Sequence, residues 1–536
     1  MFNLPPNPFA QIRITSVLEH NKIFMKTHLT SSDIVFRELM IGNPHALNGL
    51  IVCIEGLIDK KIIQQNVIQP LQQWVTTSSD ISVWHKVISS NVLQTVSVSE
   101  EVLFEVAVDQ LLRGQTLLFV EGIASVFVID TQEWKMRNIT EPITETIIRG
   151  PREGFVETLR VNTSLLRRKI NHPALTIYEM EMGTITKTKV AIAYLEGYAP
   201  HTLINEIKQR LQKVQLTQIL ESNYIEECIE DSSFNLFPTI GNSERPDVVA
   251  AKLLEGRVAV FVDGSSSVLT APLLFFDLFK MPEDYYSRSY YISFIRIIRF
   301  FGFVFSTMGP ALYLAFMSFQ EELIPTALFI SFIISRSDVP FTLLFELFAL
   351  LIVFEVLKEV GTRIPTPIGQ TIPLIGGIVL GEAAVRAGFV AESSLIVAVL
   401  SGFIAYLVPA LSQVNTLLRF VYLIIAELFG MYGVSLLFIF FLIYTANIQS
   451  CGYYYMSPYY PVYWKGWRDF LIRIPLRMLN RKPQILTKVD ALHINGYPSA
   501  TSIDLDEKVV NTHEQDHVHT PPTIFQRIVH HWMQRK

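Results

Sequence analysis

Residues 248–264 read VVAAKLLEGRVAVFVDG, and residues 106–122 read VAVDQLLRGQTLLFVEG. The two align without gaps and share seven of seventeen residues. Upstream of each lies a second strand-like run that closes on Glu-Gly. IVCIEG ends at Gly56, 66 residues before Gly122, and VAIAYLEG ends at Gly197, 67 residues before Gly264. One matching strand is a common accident, but a matching strand at a matched distance from a second marks an internal repeat. Each copy reads as strand, helix, helix, Gly, strand, acidic-Gly turn, strand, with LLFVEGIASVFVI and VAVFVDGSSSVLT as the two hairpins. HTLINEIKQRLQKV at 201–214 sets Leu203, Ile204, Ile207, Leu211 and Val214 on one helical face, the stripe of a helix packed on such a sheet.

The repeat occupies the soluble half of the chain. Half of the 536 residues are hydrophobic and 17% are charged, and the apolar excess lies after residue 290. The expected fold is a duplicated α/β N-terminal cytoplasmic domain of two related subdomains, followed by an all-α polytopic membrane domain. Its boundaries are expected at 1–34 (N-terminal extension), 35–145 and 146–284 (first and second α/β subdomains), 285–450 (transmembrane helices) and 451–536. The last piece is a basic juxtamembrane segment running into a mostly disordered cytoplasmic tail. The charge of −5 is well mixed, which argues against nucleic-acid binding. Cys53, Cys228 and Cys451 are too dispersed for a metal cluster or a disulfide framework. MFNLPPNPFAQIRITSV lacks the pattern of a signal peptide, so the N-terminal domain is expected to remain cytoplasmic.

Phe300–Gln320, Ser393–Leu418 and Leu428–Asn447 carry no Asp, Glu, Lys or Arg, and each reaches the ~20 residues a crossing requires. Two further segments are ambiguous. Val339–Val360 holds Glu346, Glu355, Lys358 and Glu359, and Ile364–Gly381 is interrupted by prolines and the pair Gly376-Gly377. LIPTALFISFI at 323–333 is at most a half-helix. Aromatic and basic flanks at Tyr285–Arg299 and at Tyr453–Lys482 put both ends of the bundle on the cytoplasmic side, which requires an even number of crossings, estimated at four. A carboxylate within such a segment costs about 2.5–3.5 kcal/mol, so it faces protein or water. Glu355, Glu359 and Arg363 share one helical face, and Glu346 points the opposite way. If copies ring an axis, Glu355 and Glu359 form acidic rings at a cation path and Glu346 pairs elsewhere, and Glu346, Gly376 and Gly377 join them as candidates for the path or its gate. The alternative is that these charges pair with Lys358 and Arg363 or snorkel.

Several stretches resemble one family. GPREGFVETLRVNTSLLRRKI (150–170), YIEECIED followed by FPT, RPDVVAAKLLEGRVAVFVDGSSSVLTAPLLFFDLFKMPEDYY, EELIPTAL and EVLKEVGTRIPTPIGQTIPLIGGIVLGEAAVRAG are similar, in order, to the A subunits of GerA-type spore germinant receptors of endospore-forming bacteria. The likeness runs from about residue 45 to about 450; the departures are a long C-terminal extension and Ser265–Ser267. It implies a subunit of a nutrient-sensing complex in the inner spore membrane. The A subunit would be a homo-oligomer contacting membrane lipids, whose helices form a nutrient-gated path for monovalent cations. It would work with a permease-like B subunit, which binds most of the nutrient germinant, and a lipid-anchored C subunit.

The PREGF motif is Pro151, Arg152, Glu153, Gly154 and Phe155, followed by a basic helix with Arg167 and Arg168. It lacks phosphate-loop spacing. The expectation is a contact between subdomains or subunits, in which Arg152 meets a carboxylate, Phe155 anchors, and strain passes to the membrane bundle. Glu121 and Asp263 are either acid or metal sites or simply suit tight hairpins. No catalytic constellation, metal site or cofactor motif is expected. Ser265–Ser267 lack a nucleophile elbow, and His513, His517, His519, His530 and His531 belong to a solvated tail. Two rival readings stay open: a transporter using the broken segment after Ile364, and a non-conducting scaffold for the permease-like subunit.

Overall fold

A computed structural model describes residues 8–475 apart from 44–45, 76–83, 86, 89–91, 96, 133–144, 146, 148, 364–378, 380, 463–468 and 470–471. Among the described residues the N-terminal α/β half contains two five-stranded antiparallel sheets. The first is built from β1 (Ile34–Ile41), β2 (Leu47–Ile54), β3 (Val98–Glu101), β4 (Thr116–Val120) and β5 (Val126–Ile129), in the order β1-β2-β4-β5-β3. The second is built from β6 (Leu175–Met182), β7 (Thr188–Leu195), β8 (Gly241–Ser243), β9 (Val258–Val262) and β10 (Val268–Ala271), in the order β6-β7-β9-β10-β8. The two orders are the same. β4 and β9 are buried at every position because helices cover both sheet faces, which is why TLLFV and VAVFV read as unbroken apolar runs.

The helices also correspond. On the first sheet α1 (Leu18–His28) and α3 (Phe104–Leu112) share a core with Leu50, Val52 and Phe119, and a helical stretch at 60–73, α2, covers the other face. On the second, α4 (Leu159–Lys169) and α7 (Pro246–Leu254) lie on one face, and α5 (His201–Lys213) and α6 (Ser222–Ile229) on the other. The stripe expected at 201–214 is buried at Leu203, Ile204, Ile207 and Leu211. The strands β1, β3, β6 and β8 are additions to the expected pattern. Phe9, Ile14, Leu18 and Met25 lie in the first core, so that subdomain begins well before residue 35.

The helical half comprises α8 (Ser289–Ser318), α9 (Thr326–Arg336), α10 (Leu343–Arg363), α11 (Glu392–Ala405) and α12 (Ser412–Asn447). Among the described residues two helical runs, Ser289–Ser318 and Pro409–Asn447, are long and apolar enough to cross a membrane. The second is not straight. Gly430 has φ 58° and ψ −146°, a conformation open to glycine. The rings of Tyr422 and Phe441 lie 5.8 Å apart, whereas a continuous helix would separate these residues by about 28 Å. The arms 412–429 and 431–447 therefore form a hairpin. Neighbours give the other directions. Tyr313 meets Ser393 at 2.8 Å, and a side chain at Gly302 would press on Ile404 and Leu407, so α11 runs antiparallel to α8.

This corrects two expected spans. Ser393–Leu418 is α11, a turn through Pro409–Leu411, and the start of α12. Leu428–Asn447 begins in the Gly430 reversal. The half-helix near 323–333 is α9, whose 11 residues include no buried one. Most of Ile364–Gly381, with Gly376 and Gly377, lies outside the described residues.

Candidate coupling site

The acidic-Gly turns cap helices. Glu121 Oε2 accepts from Leu18 N at 3.2 Å, and Asp263 Oδ1 accepts from Leu159 N at 3.0 Å. These are the first residues of α1 and α4, where unpaired amides and the helix dipole favour a carboxylate. A buried asparagine repeats with the same logic. Asn21 bonds both the N–H and the C=O of Thr15, and Asn162 those of Val156. Each fixes the chain entering its helix.

The PREGF stretch enters α4 by this route. Phe155 is buried, donates its N–H to Glu244 O at 2.7 Å, and packs edge-on against Phe261 at 5.5 Å. It belongs to the core of the second subdomain and is not an anchor across an interface. Gly154 is buried, Arg152 is exposed, and Glu153 pairs with Lys169 at 2.7 Å and Arg168 at 3.4 Å.

Arg167 makes a buried contact between the two subdomains. Its Nε and Nη2 grip Asp33 at 2.8 and 2.9 Å, and Nη2 also donates to Ser31 at 2.7 Å. Arg167 and Asp33 are each 1% exposed. Burial by itself would raise the Asp33 carboxyl, but the Arg167 charge and hydrogen bonds override it and hold it below the ordinary carboxylate range. Ser32 N donates to Ile177 O at 2.8 Å and Ile177 N to Ser31 Oγ at 2.9 Å, so the chain before β1 lies along the free edge of β6. Arg160 spans the same seam, to Glu179 at 2.5 Å and Glu55 at 3.1 Å.

From PREGF a hydrogen-bonded path descends to α8. Arg245 Nη2 donates to Pro151 O and to Asp247, each at 2.9 Å, and Tyr286 OH donates to Asp247 at 2.6 Å. Below it lies an ionic collar. Asp277 pairs with Arg257 at 2.7 Å and Lys280 at 3.1 Å. Asp284, fully buried, takes Arg296 at 2.7 Å and Arg299 at 2.8 Å. Arg296 also reaches Asp469 at 2.9 Å, and Tyr285 OH donates to Asp469 at 2.6 Å. Burial acts to raise Asp277, yet Arg257 and Lys280 keep it well below an ordinary carboxyl. Burial pushes the Tyr285 phenol up. The collar thus joins the second sheet, the linker, the base of α8 and the chain that follows α12. That following chain is pinned again where Ser450 accepts from Leu273 N and donates to Thr239 O, and where Phe275 N donates to Tyr455 O.

Inside the bundle the centre is Arg419, 1% exposed and absent from the expected site. Its Nε donates to Ser306 O of α8 at 3.0 Å and Nη2 to Ser401 O of α11 at 3.3 Å, while Nη1 lies 3.7 Å from Glu355 of α10. Ser306 is four residues before Pro310, which has no N–H to offer that carbonyl. Asn415 adds bonds to Ser306 Oγ at 2.6 Å and from Thr307 at 2.7 Å. Of the expected acids, Glu355 also takes Thr416 at 2.9 Å and Lys358 at 3.1 Å. Glu359 is largely exposed and pairs with Arg363 at 2.6 Å. Glu346 is buried, accepts from Ala391 N at the start of α11, and lies 3.5 Å from Arg336. The three carboxylates therefore occupy three different settings. The signals for Arg419 were present in the sequence: a lone arginine beside long uncharged runs, and a helix-interior proline in the neighbouring span.

The family described as Bacillus/Clostridium GerA spore germination protein matches residues 21–485. Spore germination protein KA of Bacillus subtilis (strain 168) is 37% identical over 463 residues, covering 86% of this chain and 85% of that one. Spore germination protein B1 of the same organism is 34% identical over 481 residues, covering 88% and 98%. Its uncharacterized membrane protein YfkQ is 37% identical over 454 residues, covering 84% and 88%. The crystal structure of the N-terminal domain of the A subunit of the Bacillus megaterium spore germinant receptor GerK3 is 33% identical. It covers 49% of this chain and 98% of that one, with a TM-score of 0.38.

Proposed function

Because the chain belongs to the GerA spore germination protein family, we propose that it is the A subunit of a spore germinant receptor, duplicated in its cytoplasmic half and polytopic in its membrane half. Copies of it surround a cation path in the inner spore membrane, with both terminal regions cytoplasmic. A permease-like B subunit binds most of the nutrient and a lipid-anchored C subunit completes the complex. Opening of the path releases monovalent cations and starts germination.

The observation that carries this reading is the collar. Arg257 and Asp277 tie the second sheet to the linker, and Asp284 and Asp469 tie the linker to α8 and the chain after α12, so movement of the α/β module is communicated to the bundle through buried charge pairs. Glu359, paired with Arg363 on the exposed side of α10, is the acid placed to face a path, whereas Glu355 is drawn into the bundle by Thr416 and Arg419 and Glu346 caps α11.

The test is potassium efflux from liposomes holding the purified A, B and C subunits. Asp284→Asn should leave the complex assembled and reduce nutrient-triggered efflux at least tenfold. Glu359→Gln should lower the cation current without changing the nutrient concentration required. Efflux indifferent to both substitutions would sink the channel and leave the scaffold. Saturable uptake of a substrate would instead identify a carrier.

A further inference from the structure

We propose that the loop 231–237, DSSFNLF, is a lipid-contacting foot by which the second subdomain rests on the membrane surface, with Phe234 inserted among the headgroups. The proposal relies on the membrane reading of α8 and α12. Phe234 is 96% exposed, more than any other large apolar side chain among the described residues. Free in water it would be an unexplained liability, because its neighbours are held firmly and do not fold over it.

One end of the loop is fastened to the last turn of α12 and the other to α5 and the chain that follows α12. At its root Asp231 accepts from Arg210 Nη2 and from Cys451 N, each at 2.6 Å. On the other side Leu236 N donates to Tyr444 OH at 3.0 Å. Phe237, buried, packs against Phe275 at 5.7 Å and against Tyr444 and Tyr455 at 6.4 Å each. Between these anchors a small turn, in which Asn235 N donates to Ser232 O, presents Phe234 outwards. Tyr444 is three residues before the end of α12, so Phe234 stands within a few residues of the level at which that arm leaves an apolar phase.

The chemistry around it suits lipid better than a protein partner. Residues 232–237 carry no charge, and the polar groups beside Phe234 are two serines and an asparagine. The first turns of α8 expose Tyr290, Tyr291 and Phe294 as well. Aromatic side chains at the ends of membrane helices are the usual residents of the headgroup layer. A foot at this place would fix the height of the α/β module above the bilayer while the collar fixes its attachment.

The test uses the full chain with Cys228→Ser in phosphatidylcholine vesicles containing lipids with a quencher near the headgroup. Cys53 and Cys451 are buried and are left in place. A bimane label is carried by Phe234→Cys, by Ser435→Cys on the exposed side of α12, or by Ile185→Cys on the β6–β7 hairpin, which is 78% exposed. Quenching at position 234 should be at least threefold that at 185. If 435 is quenched and 234 behaves like 185, the foot is wrong while the membrane reading stands. If 435 is not quenched either, both fall. A blue-shifted label at 234 that lipid quenchers do not reach would mean that a protein surface covers the loop, and this too overturns the proposal.

Discussion

The tie at Arg419 makes a prediction that a double-mutant cycle reads directly. Pro310 deprives Ser306 C=O of its helical partner, and the Arg419 Nε–H at 3.0 Å supplies the replacement. Arg419→Met removes it and leaves a buried carbonyl unpaired, at about 1–3 kcal/mol. The same substitution also strips a cation from beside Glu355 and relieves the desolvation of a buried guanidinium. Those opposing contributions are each several kcal/mol, so the single-variant cost alone decides nothing. Pro310→Ala isolates the carbonyl, because alanine returns an N–H to the helix at the required position. Arg419→Met should therefore cost about 1–3 kcal/mol less when combined with Pro310→Ala than when made in the parent chain. The assay is SDS-driven unfolding of the full chain in mixed micelles, followed by circular dichroism, for the parent, both single variants and the double. Equal costs in the two backgrounds, within about 0.5 kcal/mol, would show that Arg419 does not serve the proline-opened carbonyl and would leave the joining of α8 to α12 to Asn415.

Other outcomes follow from the soluble half. Arg167→Met leaves Asp33 buried without its partner and should cost about 3–5 kcal/mol in urea unfolding. Because the folded Asp33 carboxyl is held below its unfolded value, its contribution is present above about pH 4 and is lost as the pH falls through the folded value. Asp33→Asn should accordingly flatten the acid limb of the stability profile. Burial, together with Glu230 and Glu221, pushes Glu226 up to about 7, so its proton-linked contribution is present below its unfolded value and disappears as the pH rises through about 7. Glu226→Gln should be more stable than the parent at pH 8 and equal to it near pH 4, as measured by thermal unfolding. The two turn acids should be matched as caps: Glu121→Ala and Asp263→Ala should each cost about 1 kcal/mol, and a loss confined to one of them would break the correspondence between α1 and α4.

The common strand order of the two sheets was legible because strand, glycine turn and strand leave residue-specific marks. Gly114 and Gly256 take φ of 95° and 92° after their helices, and Gly122 and Gly264 take 85° and 92° in the turns. The helix that opens each copy was not legible in the first, since LEHNKIFMKTH and LRVNTSLLRRK share little beyond Leu18/Leu159 and the buried Asn21/Asn162 pair. That asparagine bonds a backbone six residues away, a relation that hydrophobic periodicity does not register. In the helical half, hydropathy finds apolar segments but not their reversals. Gly430 lies in an apolar run that passes for straight helix until Tyr422 and Phe441 are seen face to face. Glu346 and Glu355 were visible as costly charges, but their partners Ala391 and Arg419 lie 45 and 64 residues on.

These placements change what the basic PREGF segment can transmit. Phe155 secures it inside the second subdomain, so it moves with that subdomain and does not slide against it. Its connection to the bundle is polar and nearly continuous: Pro151 O, Arg245, Asp247 and Tyr286, then the neighbouring Tyr285, Asp469 and Arg296 at the base of α8. Buried charge pairs of this kind add little net stability but are costly to break singly, so they favour two discrete arrangements over a gradual slide. At the upper end the Arg167–Asp33 pair locks the first subdomain to the second by the same physics. A displacement imposed on the first subdomain therefore has a rigid route to α8, and α8 meets α10, α11 and α12 at one buried guanidinium, Arg419. The α/β and helical halves are joined through charges withdrawn from water, and the strength of that junction should survive high salt, where exposed ion pairs would fade.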